Sequence, residues 1–240
     1  MKKRIQRIVH NVRTGGVVKT LSRARLYRDA CERYGLVYFG TVDARDDEHT
    51  MVRGLTVSAG HIDRHYCVGS VEGFEMIMLE RSDQLHFPYK KPESYRWTII
   101  QIDLDRVRLP HIFLDAHQHQ SAFYDAFFAK HPQMRRGDVN LFADHDPRFA
   151  SAFNTYCAPQ DIAIVMKLLH YDITATLGHH FAHYDFELFE DKLLVYSSNR
   201  QPTRAVIDDL FRAGVWLARE IEKLYHPQPA SSFDSTELQI

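Results

Sequence analysis

Residues 62–80 read IDRHYCVGSVEGFEMIMLE. Two runs rich in β-branched and aromatic residues, IDRHYCV and FEMIMLE, flank the turn stretch GSVEG. A short polar connection between two such runs predicts a β-hairpin, and a hairpin is antiparallel. The neighbours extend the pattern. LVYFGTV (36–42) and MVRGLTVS (51–58) read as strands parted by the polar DARDDEHT, and WTIIQIDL (97–104) follows a Pro-containing polar loop from His86 to Arg96. Five strands joined by local connections predict an antiparallel sheet or meander in the first half of the chain.

The second half is mixed. HIFLD (111–115) and FNTYC (153–157) read as extended, and QSAFYDAFFAKH as an amphipathic helix stopped by Pro132. Pro159 opens helical stretches through Leu169 and on to about His180. YDFELF, the turn ED and KLLVYS form a hairpin. A long helix follows, capped by Thr203, with Val206, Ile207, Leu210, Phe211, Gly214, Leu217, Ala218, Ile221 and Leu224 in helical period up to Pro227. The fold class is therefore α+β: an antiparallel sheet first, a helix–hairpin–helix second half, and basic helices at the N-terminus. The organisation expected is a basic helical segment over 1–34, a β-rich lobe over 35–130, an α+β lobe over 131–226 and a disordered tail over 227–240.

The chain has 240 residues, 45% of them hydrophobic, with fifteen Phe and twelve Tyr, which suffices for a globular core. Its net charge of −1 conceals an asymmetry. Residues 1–28 hold Lys2, Lys3, Arg4, Arg7, Arg13, Lys19, Arg23, Arg25 and Arg28 and no acid, so the remainder sets 21 basic residues against 31 acidic ones. Ile5, Ile8, Val9 and Val12 keep helical period, Gly15-Gly16 interrupts, and a second helix runs from Val17 to Tyr34 with Val17, Leu21, Ala24 and Cys31 inward. A basic amphipathic helix can lie on an anionic membrane or on nucleic acid, or pack its apolar stripe on the body with its charges in water. The acidic body opposes broad nucleic-acid binding, and an anionic membrane face or an acidic protein partner suits a localised basic helix better.

Three well-separated cysteines, Cys31, Cys67 and Cys157, predict no disulfide framework and fit a reducing compartment. No segment has the run of about 18 apolar residues needed for a span. Nor is there an apolar core behind the N-terminal charges that would make a secretory signal. The expectation is a cytoplasmic protein, with association at the membrane periphery allowed.

Histidine is abundant, at fifteen residues. On a regular strand His61, Asp63, His65 and Cys67 would share one face, and same-face neighbours lie about 7 Å apart, so at most a pair could hold one ion. With Ile62, Tyr66 and Val68 as the core face, the other face is expected to be wet. Asp115, His117 and His119 resemble the start of the metallo-hydrolase pattern HxHxDH, but Ser121 and Ala122 stand where Asp and His belong. His179 and His183 have zinc-protease spacing, but His180 replaces the Glu that would act as general base. His145, between Asp144 and Asp146, could join a converged site. A divalent metal such as zinc, bound by these groups and activating water, is the alternative; no cofactor is the first expectation. Phosphate-binding glycine loops and the GxSxG elbow are absent.

FNTYCAPQD with the helix pair after it, FELFEDKLLVYS and the terminal helix resemble uncharacterised bacterial proteins that carry a domain of unknown function. VRGL, IDRHYCVG and GFEMIML resemble them in order as well. The resemblance spans about residues 35–225 and implies a bacterial source; it implies no activity and transfers no catalytic residue. The reading of the residues themselves is a non-catalytic binding or structural protein whose basic N-terminal segment contacts an anionic surface.

Overall fold

The computed structural model describes residues 16–41, 52, 54–56, 60–87, 90–105, 107–117, 122–142 and 144–225. The predicted helix over Ile5–Val12 and the tail over 227–240 lie outside them.

Among the described residues nine antiparallel strands form one sheet in the order β1-β2-β3-β4-β9-β8-β5-β7-β6. They are β1 (Val37–Gly40), β2 (Ile62–Val71), β3 (Phe74–Phe87), β4 (Lys90–Asp103), β5 (Leu109–Ala116), β6 (Arg135–Arg136), β7 (Phe153–Cys157), β8 (Asp185–Glu190) and β9 (Lys192–Ser198). The described residues also hold six α-helices, α1 (Gly16–Tyr34), α2 (Ala122–Lys130), α3 (Pro147–Ala152), α4 (Ile162–Leu168), α5 (Tyr171–His180) and α6 (Arg204–Tyr225), and two short 3-10 turns, Val139–Phe142 and Pro159–Asp161. The class is α+β, as the strand and helix periods predict.

The sheet is not split at residue 130. The β8–β9 hairpin inserts between β4 and β5, with Trp97 opposite Ser198, Asp103 opposite Lys192, and Leu114 opposite Phe186. Two stretches differ from their sequence reading. His86–Arg96, expected as a loop, belongs mostly to a long hairpin in which Ser82 faces Arg96 and Asp83 faces Tyr95. Pro92 is tolerated there because β9 pairs with β4 only from Trp97 onward, so among the described residues this part of β4 pairs on the β3 side alone. MVRGLTVS, expected as a strand, has no strand among its described residues; Val52 and Gly54–Thr56 cross the sheet as an irregular strap.

Period-2 alternation gives the sheet two buried faces. Met76, Met78, Ile100, Ile102, Leu193, Val195, Phe186, Leu188, Ile112 and Leu114 point to one side, under α1, α6 and the α3–α5 group. α6 buries Ile207, Leu210, Phe211, Gly214, Leu217, Ala218 and Ile221 there, the stripe its sequence announces. Thr203 caps it by accepting from the Val206 amide at 3.3 Å, and Asp146 caps α3 by accepting from Arg148 N at 2.8 Å. Ile77, Leu79, Trp97, Ile99, Phe113, Leu194 and Tyr196 point to the other side, under Tyr124 and Phe127 of α2 and Val52 and Leu55 of the strap.

Candidate functional site

α1 is the described part of the basic segment, and it is bolted to the body. Tyr27 and Ala30 are fully buried and Cys31 nearly so. The Tyr27 hydroxyl meets Thr98 Oγ1 at 3.1 Å, Tyr34 stacks on Phe211 with ring centres 3.9 Å apart, and Arg33 and the Tyr34 hydroxyl both donate to Asp208. Burial and the Asp208 carboxylate push the Tyr34 phenol up to about 12. The basic residues divide on this helix. Arg23 turns inward to the buried Glu80 at 3.2 Å. Arg25 is 85% exposed and lies 3.9 Å from Asp29, and Arg28 stands over the Tyr38 ring at 5.1 Å. The Lys19 side chain and all of Lys2, Lys3, Arg4, Arg7 and Arg13 lie outside the described residues.

The opposite face of the sheet holds a row of buried charge. Arg81 is fully buried and bidentate to Asp63, through Nε at 2.8 Å and Nη2 at 2.7 Å. Its remaining donors reach Thr56 Oγ1 at 3.0 Å and the Val52 carbonyl at 2.8 Å. Glu187, fully buried on β8, accepts from the Leu55 amide at 2.9 and 3.0 Å, from Tyr196 at 2.5 Å and from His111 Nε2 at 2.5 Å. Two residues along, Asp185 accepts from Ala116 N at 2.9 Å, Tyr124 at 2.6 Å and Ser198 at 2.5 Å. Burial and the adjacent carboxylates push the Tyr124 and Tyr196 phenols well up, so both stay protonated as donors. Buried carboxylates met by this many donors of their own chain are held as structure. Gly54, at φ +97°, is the residue the strap needs: a Cβ there would sit 2.6 Å from the Tyr196 hydroxyl and 2.7 Å from Glu187 Oε2.

The histidine candidates do not converge. His61 precedes β2, with Nε2 3.8 Å from Asp63, which is already taken by Arg81. The strand reading of GHIDRHYC fails at a β-bulge between Arg64 and Cys67, with His65 at φ 60°. The extra residue sends Asp63 to the Arg81 face and His65 to the α1 face. There His65 stacks on Tyr27 at 4.8 Å and meets the Tyr38 hydroxyl at 2.9 Å. The polar face is not the wet one: Asp63, His65 and Cys67 are all buried, and it is Ile62 and Arg64 that are exposed. Burial lowers the His65 pKa. His117 bonds the Ser151 carbonyl at 2.7 Å and Asn154 at 2.9 Å, and His119 lies outside the described residues. His179 meets Arg148 at 2.7 Å and Asp146 at 3.6 Å, and His183 is exposed in the turn after α5. Among the described residues no three His, Cys, Asp or Glu side chains form a group able to hold a metal ion.

Sequence reading missed Arg81, Asp185, Glu187 and His111. Asp185 and Glu187 alternate with Phe186 and Leu188, but only the mid-sheet place of this hairpin, where both faces are buried, makes that alternation a row of buried charge.

No family model matches the chain, and no curated protein matches it. The crystal structure of the mycobacterial trehalose monomycolate transport factor A, TtfA, is similar in fold, with a TM-score of 0.55 at 11% identity. The alignment covers 86% of this chain and 96% of that one. At that identity the likeness is one of fold. Among the described residues no helix is long and apolar enough to cross a membrane.

Proposed function

We propose that this is a non-catalytic binding protein that seats on an anionic surface through its basic N-terminal segment and leaves its acidic body in water. The observation that carries this reading is the run of nine Lys and Arg without one acid in residues 1–28, on a chain whose remainder is strongly acidic. The structure adds the anchor. α1 is seated in the core by Tyr27, Ala30 and Cys31, so the helix that follows the N-terminal charges in sequence is part of the body. Arg25 and Arg28 stay on its outer side. The surface favoured is the anionic inner face of a membrane, where each Lys or Arg contributes about 1 kcal/mol. An acidic protein partner and nucleic acid are the competing occupants. The mycobacterial protein of like fold is named a transport factor for trehalose monomycolate, which agrees with a non-catalytic role.

The test leaves α1 intact, because removing residues 16–28 would take Tyr27 out of the core. The full chain and a variant with Lys2, Lys3, Arg4, Arg7 and Arg13 all changed to Gln are sedimented with vesicles rich in phosphatidylserine and with neutral vesicles, across a salt series. Binding to anionic vesicles alone, lost in the variant and at high salt, is expected. Failure of the unmodified chain to bind anionic vesicles at low salt overturns the membrane reading. The same pair of chains against an acidic polypeptide and against duplex DNA tests the competitors.

A further inference from the structure

The corner of the sheet where β1 and β2 meet α1 sets exposed apolar side chains beside arginine. Val37 and Phe39 on β1 are 58% and 61% exposed, and Ile62, at the start of β2, is 49% exposed. β1 is the outermost strand, and it pairs with β2 only as far as Gly40 opposite Tyr66. Among the described residues the edge of the sheet therefore runs along β1 and on into Ile62–His65 of β2. A bulge between Tyr38 and Gly40 leaves Phe39 as an extra residue on this edge, without a cross-strand partner. Positive charge borders these residues. The Arg28 guanidinium stands over the Tyr38 ring, the Tyr38 hydroxyl meets His65, and Arg64 precedes His65 on the edge. Arg28 and Arg64 are exposed, and neither meets a carboxylate of another described residue. An edge strand is ordinarily guarded by its own charged or proline residues, whereas this one holds Val37 and Phe39 out in water. An apolar patch with a charged rim marks a surface that another body covers.

We infer that this corner is the part of the body that docks on an anionic membrane: Val37, Phe39 and Ile62 enter the boundary between headgroups and acyl chains, while Arg28 and Arg64 pair with lipid phosphates. The inference rests on the anionic-surface reading above and deepens it, from a charged segment drawn to a surface to a face of the body seated in it. Charge complementarity selects the occupant. A second copy paired along the same edge would bring Arg28 and Arg64 of one chain towards those of the other, and like charges so placed oppose docking. A leaflet rich in phosphatidylserine offers opposite charge and an apolar interior together. Arginine suits that boundary, because its stem lies along apolar groups while its planar head reaches a phosphate. The basic run and the corner also meet on one element: α1 carries Arg25 and Arg28 and packs on β1 and β2. Charge draws the chain to the surface, and burial of the apolar side chains holds it there.

The test uses the full chain carrying Phe39→Trp, read by tryptophan fluorescence against the unmodified chain, whose own Trp97 is buried and Trp216 half-buried. Three vesicles are compared: equal parts phosphatidylserine and phosphatidylcholine, phosphatidylcholine alone, and the anionic mixture with its phosphatidylcholine brominated on the acyl chains. Emission should shift to the blue on anionic vesicles, be quenched by the bromines, and stay unchanged on neutral ones. Val37→Ser with Phe39→Ser, both at exposed positions, should keep the melting temperature and weaken sedimentation with anionic vesicles about tenfold. Arg28→Gln with Arg64→Gln should weaken it by about tenfold as well. Ile164→Ser, at an exposed apolar position on α4, should bind as the unmodified chain does. Vesicle binding without blue shift or quenching overturns the inference and leaves the anionic-surface reading standing. Undiminished binding by the Val37→Ser, Phe39→Ser chain does the same. Failure of the unmodified chain to bind anionic vesicles overturns both. A dimer that the two Ser substitutions abolish, with vesicle binding intact, assigns the corner to a second copy and overturns the inference.

Discussion

The two faces of the sheet are buried to a similar degree and built on different principles. Under α1, α6 and the α3–α5 group, the core is aliphatic and aromatic, with Glu80 answered by Arg23 at its edge. Under α2 and the strap, aromatic packing surrounds Arg81, Asp63, Glu187 and Asp185, and the strap is held by charge-assisted bonds to its backbone. Helices satisfy their own backbone and need only an apolar seat. An irregular strap cannot, so the sheet beneath it must supply donors and acceptors. The buried charges of Arg81 and Glu187 thus lie where the described strap residues present backbone groups to be bonded.

The comparison breaks first at Arg81. Arg81→Met should cost about 3–5 kcal/mol in urea unfolding, because Asp63 is left buried and unpaired. Asp63→Leu combined with Arg81→Met should recover most of that loss; if the double variant is as unstable as the single one, lost bonds to the strap, and not the stranded carboxylate, set the cost. Gly178 probes the helical side. A Cβ there would lie 2.7 Å from Phe149 N and 2.9 Å from Arg148 C, both backbone, where α5 crosses α3. Gly178→Ala should destabilise by about 1–3 kcal/mol. Gly214→Ala, whose Cβ meets the movable end of the Ile102 side chain, should cost less, and equal melting temperatures for the two would contradict the close backbone approach. Tyr124→Phe removes a donor from Asp185 and an acceptor from Trp97, and should cost about 1–3 kcal/mol with no change in the helical side. Hydrogen exchange, resolved by segment, would show whether the loss is confined to α2.

The smallest effect is at His65. Burial lowers its pKa in the folded chain, so between that value and the unfolded one, near 6.5, the unfolded chain holds more protons. Stability is therefore fullest above pH 6.5 and declines as pH falls through that window. His65→Gln should flatten this slope, measured as the difference in unfolding midpoints between neutral and mildly acidic buffer. An unchanged slope would mean that His65 keeps its ordinary affinity for the proton.

Much of the fold was legible. Helical period gave α6 to its caps, and YDFELFEDKLLVYS gave the β8–β9 hairpin. The class followed from hairpins and local connections. What was not legible came from pairing between distant segments. Nothing local in DFELFE says that its strand lies mid-sheet, yet that placement turns Asp185 and Glu187 from surface residues into buried ones. The bulge at His65 is equally silent, because period 2 presumes one residue per step and a bulge spends two. Hence GHIDRHYC reads as a single polar face although Asp63 and His65 serve opposite ones. The basic run was legible as charge alone; that Arg23 belongs to Glu80 and not to solvent is a tertiary fact.

The insertion of β8 and β9 between β4 and β5 has a consequence for the order of assembly during synthesis. Residues 97–103 of β4 are complete early, but their partner, residues 192–198, follows almost a hundred residues later. Until it emerges from the ribosome, the β1–β4 meander carries an open central edge rich in Ile and Trp, the type of edge that recruits other chains. Premature chains that end before residue 185 should therefore aggregate through β4, and a chaperone that binds nascent protein should protect the stretch WTIIQID until the hairpin arrives. A sheet closed last at its middle is a slow fold in the making, whatever its final stability.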